Sequence, residues 1–218
     1  MIYIIRIMIK VSILIPMYNS ELYIDRCILS IPNRKDIEVI VVDDNSKDKS
    51  LYVINKYKDI YNIRIYKNKD NIGVGLTRNR LLELSKGEYV FFLDSDDYLY
   101  TDEFNYVMDN VLDKQTILMG KHRRNDNHIF NSGVHRGDFI RKDFIGSTRF
   151  PNMREHEDSV FRDYLKMKKG YKIDKVDNVI YHYNEPRIGS LTWNDRKRKN
   201  IKGYDKGVEE WEQVYGKK

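Results

Sequence analysis

Apolar residues in the first half of the chain fall in short runs, each ended by Pro, Gly, Asn or Asp. Val11–Ile15 is nearly all apolar and predicts a strand buried on both faces. Pro16, Met17, Tyr18 and Asn19 break it. Leu22, Ile24, Cys27, Ile28 and Ile31 then recur at helical spacing, with Asn19 or Ser20 in the cap position and Pro32 as the stop. Ile37–Val42 predicts a second strand, running into Asp43 and Asp44. Ser46 or Asp48 caps a helix carrying Leu51, Ile54 and Tyr57, and Ile63–Tyr66 predicts a third strand. The loop from Asn71 through Gly73 to Gly75 opens a helix that passes Leu82 and Leu84 and stops at Gly87. Tyr89–Leu93 predicts a fourth strand, which runs straight into Asp94, Asp96 and Asp97.

Strands and helices that alternate in this way predict an α/β fold, with a mostly parallel central sheet flanked by helices. In such sheets ligands bind beyond the carboxyl ends of the strands. The chemically unusual stretches all fall there: Pro16–Glu21, Asp43–Asp44, Gly73–Arg78 and Asp94–Asp97. Neither a G-x-G-x-x-G after the first strand nor a G-x-x-x-x-G-K-[ST] string is present.

Beyond Asp97 the pattern changes. Phe104, Val107, Met108, Val111 and Leu112 mark an amphipathic helix, and Thr116–Met119 a short strand. Residues 120–131 read as polar and irregular, and 132–154 as short apolar runs broken by Gly and charge. Glu155, Glu157 and Asp158 precede a helix with Val160, Phe161 and Leu165; acids in a first turn also suit the helix dipole. Lys172–Val176 and Val179–Tyr183 read as two strands. The tail from Trp193 is polar and basic, with Tyr204, Val208, Trp211 and Val214 at helical spacing. The expected organisation is one domain over residues 1–218. Within it, residues 11–98 form a ligand-binding half, 99–192 a loop-rich half suited to shaping a pocket, and 193–218 a basic helical tail.

Composition narrows the classes. The 218 residues are 41% hydrophobic and 33% charged, as in a globular domain. A single cysteine, Cys27, excludes an internal disulfide and a cysteine-based zinc site, and its place on an apolar helix face predicts a core role. The Ile-rich stretch from Met1 to Ile15 is interrupted by Arg6, Lys10 and Ser12. It falls short of the roughly 18 apolar residues of a membrane span and lacks a small-residue cleavage site. It reads as an extra strand or a lead-in to the first, in a cytoplasmic protein. The net charge of +6 is concentrated towards the C-terminus, notably at 196–199, where it can meet nucleic acid, an anionic surface or a phosphorylated substrate.

Three carboxylates at the end of a buried strand repel one another, and burial worsens this unless a cation neutralises them. Oxygen ligands without nearby cysteine suit a hard divalent ion, Mg²⁺ or Mn²⁺.

Together these stretches resemble the family-2 glycosyltransferases of GT-A fold. The residues that carry the resemblance are Val11–Asn19, Val41–Ser46, Asn71–Gly73 with Arg78 and Asn79, and Phe91–Asp97. It is specific from Val11 to Tyr98 and continues more weakly through Glu157–Asp158, Tyr181–Tyr183 and Ser190. By that resemblance, Pro16, Tyr18 and Glu21 would line the nucleotide site, together with Gly73 and Ser95. Asp43 would accept a hydrogen bond from the base, commonly uracil, and Arg78 would lie near the nucleotide or its phosphates. Asp94 and Asp96 resemble the D-x-D pair, with Asp96 the more direct ligand of Mn²⁺ or Mg²⁺. His182 resembles a third metal ligand and Asp158 the catalytic base.

The implied reaction moves one sugar from a nucleotide-diphosphate sugar to an acceptor hydroxyl, with inversion. The acceptor expected for the family is a glycan or glycoconjugate. No Q-x-x-R-W string is present, which argues against a processive synthase. Three other readings share the loops: transfer to a modified DNA base, a sugar-nucleotide-binding module without turnover, and a nucleotidyltransferase that releases pyrophosphate.

Overall fold

The computed structural model describes residues 8–184 except 132 and 134. The expected lead-in over residues 1–7, Ser190 and the basic tail lie outside the described residues.

In the first half, β1 (Val11–Met17), α1 (Ile24–Leu29), β2 (Ile37–Asp43), α2 (Ser50–Asn55), β3 (Ile63–Lys67), α3 (Val74–Leu84) and β4 (Tyr89–Phe92) follow one another as predicted. The second half holds β5 (Tyr98–Leu99), α4 (Thr101–Asn110), β6 (Ile117–Arg124), β7 (Ile129–Asn131), β8 (Asp138–Arg141), α5 (Lys142–Ile145), α6 (Glu157–Met167) and β9 (Ile173–Tyr183). The sheet runs β3-β2-β1-β4-β8-β6-β9-β5, with β7 paired to β6. β3, β2, β1 and β4 are mutually parallel. Beyond β4 the sheet is mixed: β8 runs antiparallel to β4 and β6, while β6 and β9 are parallel.

Two-residue periodicity sends alternate side chains of each strand to opposite faces. Ile13 and Ile15 of β1, Val39 and Val41 of β2 and Phe91 of β4 face one core, against Ile24, Cys27 and Ile28 of α1 and Phe104, Val107 and Met108 of α4. Leu14, Ile40, Val42, Val90 and Phe92 face the other, against Leu81 and Leu82 of α3 and Phe161 and Leu165 of α6. Coverage on both faces explains why these strands read as continuous apolar runs. Cys27 is fully buried, as its helical position predicts.

The differences from expectation lie mostly in the second half. Residues 120–131 are not irregular: β6 continues to Arg124 and turns back through β7. The two strands expected at 172–183 are one, β9, and irregularities in its pairing with β6 between Met119 and His122 absorb the polar break at Asp177–Asn178. α1 is shorter than its apolar spacing suggested and leaves Leu22 exposed. α2 starts next to Asp48, whose Oδ1 accepts from Ser50 N at 2.9 Å.

Candidate active site

The loops after β1, β2 and β4 meet the N-terminal ends of α3 and α6. The first two are tied side by side. Asn19 N donates to Ser46 Oγ at 3.0 Å, and Asn19 Oδ1 accepts from Lys47 N at 2.8 Å. Glu21, expected in the nucleotide site, belongs to the same seam: its Oε2 accepts from Lys49 N at 2.7 Å. Ser95 is buried, and its hydroxyl lies 2.7 Å from that of Ser20, which joins the β4 loop to the β1 loop.

Pro16, Tyr18 and Gly73 come together. With Met17, Asp44, Asn71, Val74, Thr77 and Arg154 they line a cleft of about 310 Å³. Asp44 shapes its floor. Its Oδ1 accepts from Ile72 N and Asn68 Nδ2, and its Oδ2 from Gly73 N at 2.9 Å, so one carboxylate folds the 71–73 loop onto the end of β2. Gly73 has φ +89°, a conformation that side chains disfavour, as it leads into α3. Asp43 is fully buried; its Oδ1 accepts from Ser46 N, while Oδ2 accepts no hydrogen bond among the described residues. A buried carboxylate oxygen left in this state calls for an external donor.

Arg78 projects from the buried face of α3. Its Nη1 donates to Glu157 Oε1 at 2.6 Å and its Nη2 to Asp94 Oδ1 at 2.9 Å. The second oxygen of Asp94 accepts from Arg136 Nη1 at 3.0 Å. Burial alone would raise the Asp94 carboxyl; the two guanidiniums outweigh it and hold the group well below the usual carboxylate range. Arg136, which sequence reasoning missed, sits in a Gly- and charge-rich stretch with no periodic signal. It is pinned by a parallel bridge to Phe92 at the end of β4.

Asp97 also acquires a place. Tyr181 of β9 donates to its Oδ2 at 2.5 Å, and Asn184 N to its Oδ1 at 2.8 Å. The Tyr181 hydroxyl also accepts from Asp94 N at 3.2 Å. Burial, reinforced by Asp96 and Asp94, raises the Asp97 carboxyl well above its ordinary value.

At the start of α6 the two neighbouring acids separate by environment. Glu157 is buried and paired with Arg78, with a side chain 8% exposed. Burial raises its carboxyl, and Arg78 opposes that. Asp158 keeps 36% side-chain exposure. Its Oδ1 accepts from Ser159 N at 2.7 Å. Burial pushes the group up, while the His135 imidazole, Arg78 and Arg136 pull it below the ordinary value. His135 is itself driven down to about 4 by burial and Arg78, so near neutrality the pull on Asp158 comes from the arginines. Gly75 lets α6 approach α3: a Cβ there would stand 2.9 Å from Pro151 O and 3.1 Å from Glu157 Cγ.

The expected metal ligands are placed unequally. His182 lies opposite Tyr98 in the β5–β9 pairing, and its ring stacks on that of Tyr98 at 4.2 Å. Its Nδ1 lies 2.9 Å from the Tyr100 hydroxyl and its Nε2 2.7 Å from Asn125 Oδ1. Among the described residues no group of three His, Cys, Asp or Glu side chains could hold an ion. Both oxygens of Asp94 lie on arginines; Asp96 is the other acid of the pair. That donor set fits an ion held by one carboxylate together with substrate phosphates and water, as Mg²⁺ commonly is.

Residues 12–167 match the family described as Glycosyl transferase family 2. The poly(ribitol-phosphate) beta-glucosyltransferase of Bacillus spizizenii is 39% identical over 122 residues, covering 51% of this chain and 19% of that enzyme. The chain thus spans about a fifth of the length of that curated relative. Among solved structures, Staphylococcus aureus TarS 1–349 in complex with UDP-GlcNAc superposes with a TM-score of 0.71 at 24% identity, covering 82% of this chain and 59% of that one. The mannosyltransferase PcManGT of Pyrobaculum calidifontis, in complex with GDP-Man and Mn²⁺, gives 0.67 at 18% identity, covering 86% and 60%. The fold is that of the GT-A glycosyltransferases, and with the family match running from β1 to the end of α6, the chain belongs to glycosyl transferase family 2.

Proposed function

We propose that the chain transfers a single sugar from a UDP-sugar to an acceptor hydroxyl, with inversion at the anomeric carbon. The observation that carries this reading is Arg78, which ties Asp94 at the end of β4 to Glu157 at the start of α6. One buried guanidinium thereby joins the strand end suited to a departing diphosphate to the helix end that bears Asp158.

Tyr18 and Pro16 would flank the nucleoside, and Asp43 Oδ2 would accept the base N–H. Asp96 would hold Mn²⁺ or Mg²⁺, which when bound supplies Lewis-acid neutralisation of the leaving diphosphate. Arg78 and Arg136 keep Asp94 ionised and fixed. Asp158, more exposed than Glu157 and kept ionised, accepts the acceptor proton. As that O–H bond breaks, the oxygen bonds to the anomeric carbon and the carbon–phosphate oxygen bond opens on the opposite face. No enzyme nucleophile is required.

The acceptor class we favour is a polyol-phosphate glycan. The name of the Bacillus relative supports it, and so does the net charge of +6, which suits a polyanionic acceptor. The test is UDP release from a panel of UDP-sugars, with Mn²⁺ or Mg²⁺ and with poly(ribitol phosphate) or other glycans. Asp158→Asn should lower kcat by about 10²–10⁴-fold and leave donor binding intact. Full activity in that variant would remove Asp158 from the role, and release of pyrophosphate would overturn the reaction class.

A further inference from the structure

Two consecutive residues, His135 and Arg136, serve opposite ends of the site. Arg136 reaches Asp94 Oδ2, while His135 Nε2 stands 3.9 Å from Asp158 Oδ2. The segment is held in place: Arg136 bridges to Phe92, and Gly137 N donates to Phe92 O at 3.0 Å. His135 has φ 141°, in a region that favours glycine, and its own N–H points to Asp138 Oδ2 at 3.3 Å. Its ring is buried against Phe92 and Phe150. Backbone strain of this kind persists where the surroundings over-determine a conformation, and it concentrates at functional sites.

We propose that His135 is the positioning residue for Asp158. The reading rests on Asp158 being the base. Asp158 Oδ1 is already held by Ser159 N, and the imidazole stands 3.9 Å from the other oxygen, beyond hydrogen-bond reach, as a polar wall beside the side left to meet an acceptor hydroxyl. The charged groups that face His135 are Arg78 from α3, Asp94 from the β4 loop, Asp158 from α6 and Arg136 beside it. With both guanidiniums nearby, the ring stays neutral at working pH and adds polarity without charge. Replacing it by an apolar ring therefore leaves Asp158 in a less polar pocket, which favours its protonated form.

The experiment is His135→Phe in the full chain, read by steady-state kinetics across pH, by calorimetric UDP binding and by carbon-13 titration of the Asp158 side chain. Expected are a kcat lower by about tenfold or more, a donor KM within about twofold, and an acid limb of kcat raised by about one pH unit. The carbon-13 titration should move by the same amount, and His135→Gln should recover part of the loss. If His135→Phe does not fold, His135→Gln against His135→Ala carries the same comparison. An unmoved acid limb and carbon-13 titration overturn the proposal, as does a kcat loss matched by equal loss of UDP affinity. The carbon-13 titration needs no turnover, so an inactive wild type with a shifted Asp158 would sink the proposed reaction and not this contact.

Discussion

The phenol of Tyr181 joins two carboxylate residues of the β4 loop, donating to Asp97 Oδ2 at 2.5 Å and accepting from Asp94 N at 3.2 Å. Tyr181→Phe removes the donor from a buried carboxylate and should cost about 1–3 kcal/mol of stability. A lowered urea midpoint with unchanged slope is the expected result. Donor turnover should fall as well, because Asp94 loses its backbone anchor.

Asp94 and Asp97 should respond to pH with opposite signs. The folded value of Asp94 lies below its ordinary 3.8, so its contribution is fully present above that pH and is lost as the pH falls through the depressed value. The folded value of Asp97 is raised, so its contribution is present below the ordinary value and declines as pH rises towards the raised one. At neutral pH, Asp94→Asn should cost about 3–5 kcal/mol, because two guanidiniums lose their shared counter-charge. Asp97→Asn should cost less. Urea midpoints of both variants from pH 3 to 8 check the order.

Asp43→Asn tests the proposed nucleotide pocket. The amide keeps the shape but loses the ionised acceptor at Oδ2, and UDP affinity should weaken about tenfold, equivalent to about 1.4 kcal/mol. Calorimetry with UDP and with free diphosphate separates the cases: the first should weaken and the second should not.

Gly75→Ala should impair catalysis more than binding. The added methyl meets Pro151 O at 2.9 Å and Glu157 Cγ and Cβ at 3.1 and 3.3 Å, and so crowds the start of α6 away from α3. A shift of about 1 Å in a catalytic group can cost about 10²-fold in rate. The measurement is kcat against UDP affinity in one variant.

The parallel half was legible because β1, β2 and β4 are buried on both faces and leave nearly unbroken apolar runs, while Asp43–Asp44 and Asp94–Asp97 mark the ends of β2 and β4. The mixed half was not. β6 ends in Lys121 and Arg123, and β9 carries Asp177 and Asn178, so each strand looks like a loop where it meets solvent. Arg136 and His135 left no trace, since their neighbourhood is set by a bridge to Phe92 that residue spacing does not encode. The resemblance offers Asp158 as the candidate base, but its distinction from Glu157 depends on which carboxylate Arg78 takes.

The acidic loop is short, yet it connects strands far apart in the sheet: β4 lies beside β1, whereas β5 lies beyond β9 at the far edge. The chain therefore leaves the parallel half at Phe92 and is already stitched into the mixed half at Tyr98, with Tyr181 and Asn184 gripping Asp97 between them. The parallel half is thus not a detachable module. Cut off after β5, it would keep Asp94, Asp96, Asp97 and Arg78 but lose Arg136, Tyr181 and Asn184, which supply the other contacts that hold Asp94 and Asp97. Chimaeras that exchange segments of the mixed half between relatives must carry those three residues across with them.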